Sequence, residues 1–205
     1  MKTATNPESG ATSYTYNNNG TLYTKTDAKN IVTTFSYDDV NHATGKSYSS
    51  NAAPTSTYTF GTAVGACYLK GRLLSSANTV SNTGYCYDPL GRIKSSSQTD
   101  VANNVPYNFQ YSYNLAGGLV TTTYPTNRVI TYAYDSSGRV QTVINGISSS
   151  TQNYASSILY APHGATKQLT YGGTGGILEA VTFNSRLQPT SIGETHNSAA
   201  VLTLG

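Results

Sequence analysis

Tryptophan is absent from this chain of 205 residues, glutamate occurs three times, and charged residues make up only 10% of positions. So few strong helix formers disfavour a helical bundle, a coiled coil or a doubly wound α/β enzyme. No segment approaches the roughly 18 apolar residues of a membrane-spanning helix, so no membrane span is expected. Lys2 is followed by Thr3-Ala4-Thr5-Asn6-Pro7-Glu8, which offers no apolar core for a secretory signal peptide. The expectation is a cytoplasmic protein, or a secreted or cell-surface one if the chain is part of a longer exported protein. The 12 Lys and Arg are scattered singly and the net charge is only +3. Nucleic-acid binding draws on clustered basic residues, so no nucleic-acid partner is expected.

What the chain has instead is tyrosine, with 18 Tyr and 4 Phe, while Ser, Thr, Asn and Gly fill 92 positions. Aromatic and β-branched residues suit strands, and Gly, Asn and Ser suit turns. A hydrophobic content of 37% argues against disorder. The fold class expected is all-β.

The chain repeats itself. Aromatic pairs spaced i, i+2 recur at Tyr14/Tyr16, Phe35/Tyr37, Tyr58/Phe60, Tyr85/Tyr87, Tyr111/Tyr113 and Tyr132/Tyr134, with degenerate copies at Ile158/Tyr160 and Val181/Phe183. The second members are separated by 21–27 residues. Four residues beyond the second aromatic stands Gly20, Gly91, Gly117, Gly138 or Gly164. Three glycines are followed by Arg (Arg72, Arg92, Arg139) and then by an aliphatic residue. The best copies read Tyr85-Cys-Tyr-Asp-Pro-Leu-Gly-Arg-Ile93 and Tyr132-Ala-Tyr-Asp-Ser-Ser-Gly-Arg-Val140.

Residues i and i+2 of a strand share a face, so each pair lines one side of a sheet. Asp-x-x-Gly suits a tight reversal, because the Asp carboxylate bonds backbone N–H groups ahead of it and Gly accepts φ > 0 without a steric clash. Each unit is thus one hairpin, and eight units predict roughly sixteen strands. The second copy lacks the turn glycine, the third carries an insertion up to Gly71, and the eighth reads Phe183-Asn-Ser-Arg-Leu187 without one. The organisation expected is a flexible or truncated leader over 1–11, a repeat array over 12–192, and a tail over 193–205 that starts a further repeat.

The Tyr-x-Tyr-Asp-x-x-Gly-Arg signature at 85–92 and 132–139, with its looser copies, resembles the YD-repeat or Rhs-repeat family. The resemblance spans about residues 12–192. It implies repetitive antiparallel hairpins forming a curved, spiralling sheet, as in the shells of Rhs toxins and insecticidal toxin complexes and in the teneurins. The repeat signature carried over is Tyr85, Tyr87, Asp88, Gly91, Arg92, Tyr111, Tyr113, Gly117, Tyr132, Tyr134, Asp135, Gly138 and Arg139. The self-cleaving plug region that ends complete bacterial shells has no counterpart after Leu187. The implied role is therefore a non-enzymatic wall segment that encapsulates a toxin or other cargo polypeptide, partnered by further repeats. The alternative is a cell-surface adhesion or carbohydrate-binding module, with glycans as partners of exposed tyrosines.

No constellation of residues points to catalysis, a cofactor or a metal. His42, His163 and His196 lack ligand spacing. Asp38, Asp88 and Asp135 each hold the equivalent place in their own turn. Arg72, Arg92, Arg139 and Arg186 are read as stems covering tyrosine rings with heads on carbonyls. Cys67 and Cys86 allow either a disulfide or two small buried thiols. Gly172-Gly173-Thr174-Gly175-Gly176 is not followed by the Lys-Ser/Thr of a phosphate loop and reads as a turn.

Overall fold

The computed structural model describes residues 2–50, 55–63, 65–147, 150–173 and 175–205. Among these residues there is no helix, and eighteen strands account for the regular structure. The chain divides into two compact units, Met1–Asn108 and Phe109–Gly205. In the first run β1 (Thr3–Asn6), β2 (Gly10–Tyr16), β3 (Leu22–Thr26), β4 (Val32–Tyr37), β5 (Ala43–Tyr48), β6 (Ser56–Phe60), β7 (Leu73–Ala77), β8 (Ser81–Tyr87) and β9 (Ile93–Asp100). β10 (Val105–Tyr113) crosses the boundary, and the second unit continues with β11 (Leu119–Thr123), β12 (Val129–Tyr134), β13 (Val140–Ile147), β14 (Ser150–Tyr160), β15 (Thr166–Tyr171), β16 (Ile177–Phe183), β17 (Pro189–His196) and β18 (Ala199–Leu204). Within each unit every strand pairs antiparallel with its neighbours in the chain, giving a meander of hairpins.

Two strands exceed the sixteen predicted. Thr3–Asn6 pairs with Gly10–Ser13, so the leader expected to fray carries β1. Residues 193–205 complete β17 and form β18, joined by the two-residue turn Asn197-Ser198 with both residues at positive φ. That backbone matches the twist of the strands it joins.

Each second aromatic sits at a register shift: Tyr16, Tyr37, Phe60, Tyr87, Tyr113, Tyr134, Tyr160 and Phe183 all close their strand on a β-bulge. Opposite it stands the residue that begins the returning strand, as in Tyr87↔Ile93 and Tyr134↔Val140. A turn whose fourth residue is left-handed demands such a bulge, because one strand then has a residue more than its partner.

The two faces of the sheet differ in chemistry. Residues in register with the centre of an aromatic pair form rows such as Thr15–Thr24–Thr34–Ser47 and Thr59–Ser75–Gly84–Ser97 in the first unit. The row through Ser36 continues Gly45–Thr57–Ala77–Asn82–Thr99. In the second unit the corresponding rows are Ser112–Thr121–Thr131–Ile144–Asn153 and Leu159–Gln168–Ala180–Gly193–Thr203. None of these positions carries a charge or an aromatic ring. Their hydroxyls bond one another across strands, at 2.5 Å for Thr15–Thr24, 2.5 Å for Ser112–Thr121 and 2.7 Å for Thr182–Ser191. The opposite rows hold the rings and the charges, as in Tyr14–Lys25–Thr33–Tyr48 and Phe35–Lys46–Ser56.

A single layer of strands encloses little. Among the described residues the buried apolar side chains are Ile130 and Ala161. The paired tyrosines are half-buried, apart from the exposed Tyr16.

Candidate functional site

The recurring turn is held by both backbone and side-chain bonds. In the fourth repeat the Asp88 N–H donates to the Arg92 carbonyl (2.9 Å) and the Gly91 N–H returns to the Asp88 carbonyl (2.9 Å). The sixth repeat does the same with Asp135, Arg139 and Gly138, at 2.8 and 3.0 Å. Glycine at the fourth place takes φ +84° at Gly91 and +75° at Gly138. Asn41 (φ 67°) replaces it in the second repeat and Leu187 (φ 65°) in the eighth, which is how those copies turn without glycine.

The aspartate does two jobs. Asp88 Oδ1 accepts from the Arg92 backbone N–H (2.9 Å) while Oδ2 accepts from Arg92 Nε (2.6 Å). Asp135 Oδ1 takes the backbone N–H groups of Ser137 and Arg139, both at 2.9 Å, and Oδ2 lies 2.9 Å from Arg139 Nε and 2.8 Å from Nη2. The backbone N–H of Arg139 holds the Asp135 carboxyl below the ordinary aspartate range against a smaller cost of burial. At Asp88 burial pushes the carboxyl up, yet the Arg92 backbone N–H, side-chain hydrogen bond and charge outweigh it and leave the group lowered. In the second repeat His42 takes the arginine's place, its Nδ1 2.9 Å from Asp38 Oδ2. Asn114 bonds the Gly118 N–H (2.8 Å), and Asn184 bonds the Gln188 N–H (3.0 Å).

Arg92 and Arg139 thus place their heads on carboxylates rather than on the carbonyls expected from sequence. Arg72 does reach a carbonyl, that of Tyr68, at 2.6 Å. Arg186 does not join this series: the turn runs Asn184 to Gln188, and Gln188 holds the place of Arg92 and Arg139. Reading the arginine alone misaligned the eighth repeat by two residues.

Contacts between successive repeats follow from this placement. The guanidinium of Arg72 lies 5.8 Å from the Tyr87 ring centroid, and that of Arg139 lies 4.7 Å from Tyr160. His42 stacks on Phe60 at 4.3 Å, and His163 meets Phe183 edge-on at 4.7 Å. In four repeats the second tyrosine also donates its hydroxyl to the carbonyl that starts the preceding repeat's returning strand. These bonds are Tyr37 to Leu22 (2.8 Å), Tyr87 to Leu73 (3.0 Å), Tyr134 to Leu119 (2.7 Å) and Tyr160 to Val140 (2.7 Å). This latch was missed in the sequence because it links a side chain to a backbone atom 14–20 residues earlier. Its one trace there is the preference for Tyr over Phe at the second aromatic position.

The insertion in the third repeat is stapled to the fourth. The structure joins Cys67 and Cys86 in a disulfide with Cα atoms 4.9 Å apart, and the Tyr68 N–H donates to the Tyr87 carbonyl (3.1 Å). Cys86 is the central residue of its aromatic pair, a place held by Thr15, Ser36, Thr59 and Ser112 in other repeats. Asp38, Asp88 and Asp135 each stay in their own turn. His196 lies at the end of β17 opposite Ala199. Of the glycine-rich stretch, Thr174 lies outside the described residues, while Gly172 and Gly175 have positive φ in the β15–β16 connection. Glu179 and Glu194 stand opposite each other on β16 and β17, a pairing the sequence did not suggest, and the Tyr171 hydroxyl donates to Glu179 at 3.1 Å. That bond, with burial and the charges of both glutamates, pushes the Tyr171 hydroxyl's pKa up. Among the described residues no group of three or more His, Cys, Asp or Glu gathers where it could hold a metal ion.

No family model matches the sequence, and no curated protein matches it. Solved structures do. The chain superposes on a crystal structure of TcdB2-TccC3-Cdc42 with a TM-score of 0.88 over 99% of its length, at 13% identity. The chain has the fold of the stretch of TcdB2-TccC3 on which it superposes. A crystal structure of TcdB2-TccC3 matches equally well, with a TM-score of 0.88 over 98% of the chain at 13% identity. A Photorhabdus luminescens Tc holotoxin pore carrying a TccC3 mutation matches with a TM-score of 0.84 over 98%, at 12% identity. The chain spans 11% of the length of each of those chains. The likeness of this TcdB2-TccC3-type fold agrees with the YD-repeat or Rhs-repeat resemblance carried by the aromatic pairs and their turns.

Proposed function

We propose that this chain is a wall segment of a repeat-built shell that encloses a cargo polypeptide such as a toxin. The observation that supports this reading is the latch. Each repeat carries its own turn and bulge, and four of them are tied to their predecessors by a tyrosine hydroxyl, at Tyr37, Tyr87, Tyr134 and Tyr160, so hairpins add along the sheet without a central core. Such a sheet is suited to cover area rather than to fill volume. The fold shared with TcdB2-TccC3 structures, of which this chain would be about a tenth, supports the same role. Further repeats and the cargo would be its partners. Tyr87 and Tyr160 are poor candidates for a glycan platform, because each spends its hydroxyl on the latch and its ring on an arginine.

The test is the size and content of the native polypeptide. Immunoblotting cell and medium fractions should reveal a product far larger than 21.7 kDa, co-purifying with a segment that resists protease until the shell is denatured. A stable product of about 21.7 kDa with no protected segment would sink the proposal.

A further inference from the structure

The containment reading leaves open which side of the sheet meets the cargo, and the chemistry of the two faces differs enough to decide it. We propose that the hydroxyl face is the side turned towards the enclosed polypeptide, and that the tyrosine face is turned towards the medium; this rests on the containment reading above.

Three observations converge. Charges on the strands lie on the tyrosine rows or on the same side of their strands: Lys25, Lys46, Lys94, Asp100, Lys167, Glu179 and Glu194. A charge is best kept where water is plentiful, and facing it into a confined space full of polypeptide costs hydration. Second, an unfolded cargo exposes both charges and rings, which lysine and tyrosine side chains would hold by ion pairing and stacking. The hydroxyl face offers neither, and its Ser and Thr hydroxyls satisfy one another across strands, as at Thr15–Thr24. A lining of that kind contains a chain without gripping it. Third, two depressions of the first unit open on this face, one of about 390 Å³ around Ser75, Gly84 and Ser97 and one of about 170 Å³ around Ser36, Gly45 and Thr57. Glycine at the centre of each leaves room for a passing main chain. At Gly45 a methyl group would stand 2.9 Å from Ser36 Oγ, and at Gly84 it would meet open space.

Single cysteines report the two sides directly. Thr59→Cys and Ala133→Cys place a thiol on exposed positions of the hydroxyl face, and Lys25→Cys and Lys94→Cys on exposed positions of the tyrosine face. Each is made in the native full-length polypeptide, which is treated with a polyethylene-glycol maleimide too large to enter a closed shell. The hydroxyl-face thiols should react at least about ten-fold more slowly than the lysine-site thiols, and all four should react alike after denaturation. The reverse order would overturn the face assignment while leaving containment standing. Equal rates on both faces before denaturation would show that nothing is enclosed, and would overturn the containment reading together with this inference.

Discussion

At Leu187 the backbone takes φ 65° in the turn position that Gly20, Gly91, Gly117, Gly138 and Gly164 fill elsewhere. A side chain there is strained, whereas glycine is free to adopt the conformation. Leu187→Gly should therefore raise stability by up to about 1 kcal/mol, the relief of strain exceeding glycine's added freedom in the unfolded chain. Gly138→Val should lower it by at least about 1 kcal/mol, although a Cβ at Gly138 would meet nothing within 4 Å. Urea denaturation midpoints check both, and a midpoint that moves the wrong way at either site refutes the turn assignment. Acid should act through the turn aspartates. Asp38, Asp88 and Asp135 all have lowered carboxyl pKa values, so their contribution is complete above the ordinary aspartate range and is lost as the pH falls through the lowered values. Asp135→Asn should flatten that acid limb of the stability–pH curve, and an unchanged limb would show that the Asp135–Arg139 pair adds nothing. These residues were legible because Asp, Gly and Arg recur at fixed offsets. Arg186 shows the limit, since an arginine near the right place masked Gln188, which completes the turn bond.

Hairpins were legible from the aromatic spacing at one end of each strand pair and largely silent at the other. Two turns at that other end, β3–β4 and β11–β12, rely on Asn in the left-handed region, at Asn30 (φ 61°) and Asn127 (φ 62°), so no glycine marks them, whereas the β15–β16 connection uses Gly172 and Gly175. Yet the two Asn turns repeat the same bonding: Asp27 N–H to the Ile31 carbonyl at 3.1 Å, and Tyr124 N–H to the Arg128 carbonyl at 2.8 Å. Asp27-Ala-Lys-Asn30 has the spacing of Asp-x-x-Gly, a signal available once Asn is allowed in place of Gly. The links between hairpins make sharper predictions. Tyr134→Phe removes the hydroxyl bonded to the Leu119 carbonyl and should cost about 1 kcal/mol, read as faster amide exchange in β11 and β12. Unaltered exchange there would mean that the latch is ornamental. Breaking the staple with Cys67→Ser should cost about 3 kcal/mol for a loop closed over 19 positions and open the 61–72 insertion to protease. Cleavage at an unchanged rate would place the anchoring of that insertion in its backbone bonds and in Arg72.

For the molecule as a whole, the tally of repeats could be read directly, but the bulge that ends every second aromatic could not. It arises from a pairing between two strands, and one strand's sequence does not announce its partner's extra residue. The near-absence of a buried core was equally hidden, since tyrosines at strand spacing look like core until the sheet is seen to be one layer deep. In repeat architectures stability accumulates from neighbour to neighbour. With Ile130 and Ala161 as the buried apolar side chains among those described, that accumulation rests more on hydrogen bonds than on the release of water from apolar surface. Calorimetry should record this as a heat-capacity increment of unfolding clearly below the usual range of about 12–15 cal/mol/K per residue. A value inside that range would mean that much more apolar surface is hidden than these strands show. A small increment flattens the dependence of stability on temperature, so a wall built this way would hold much the same strength in the cold as in the warm.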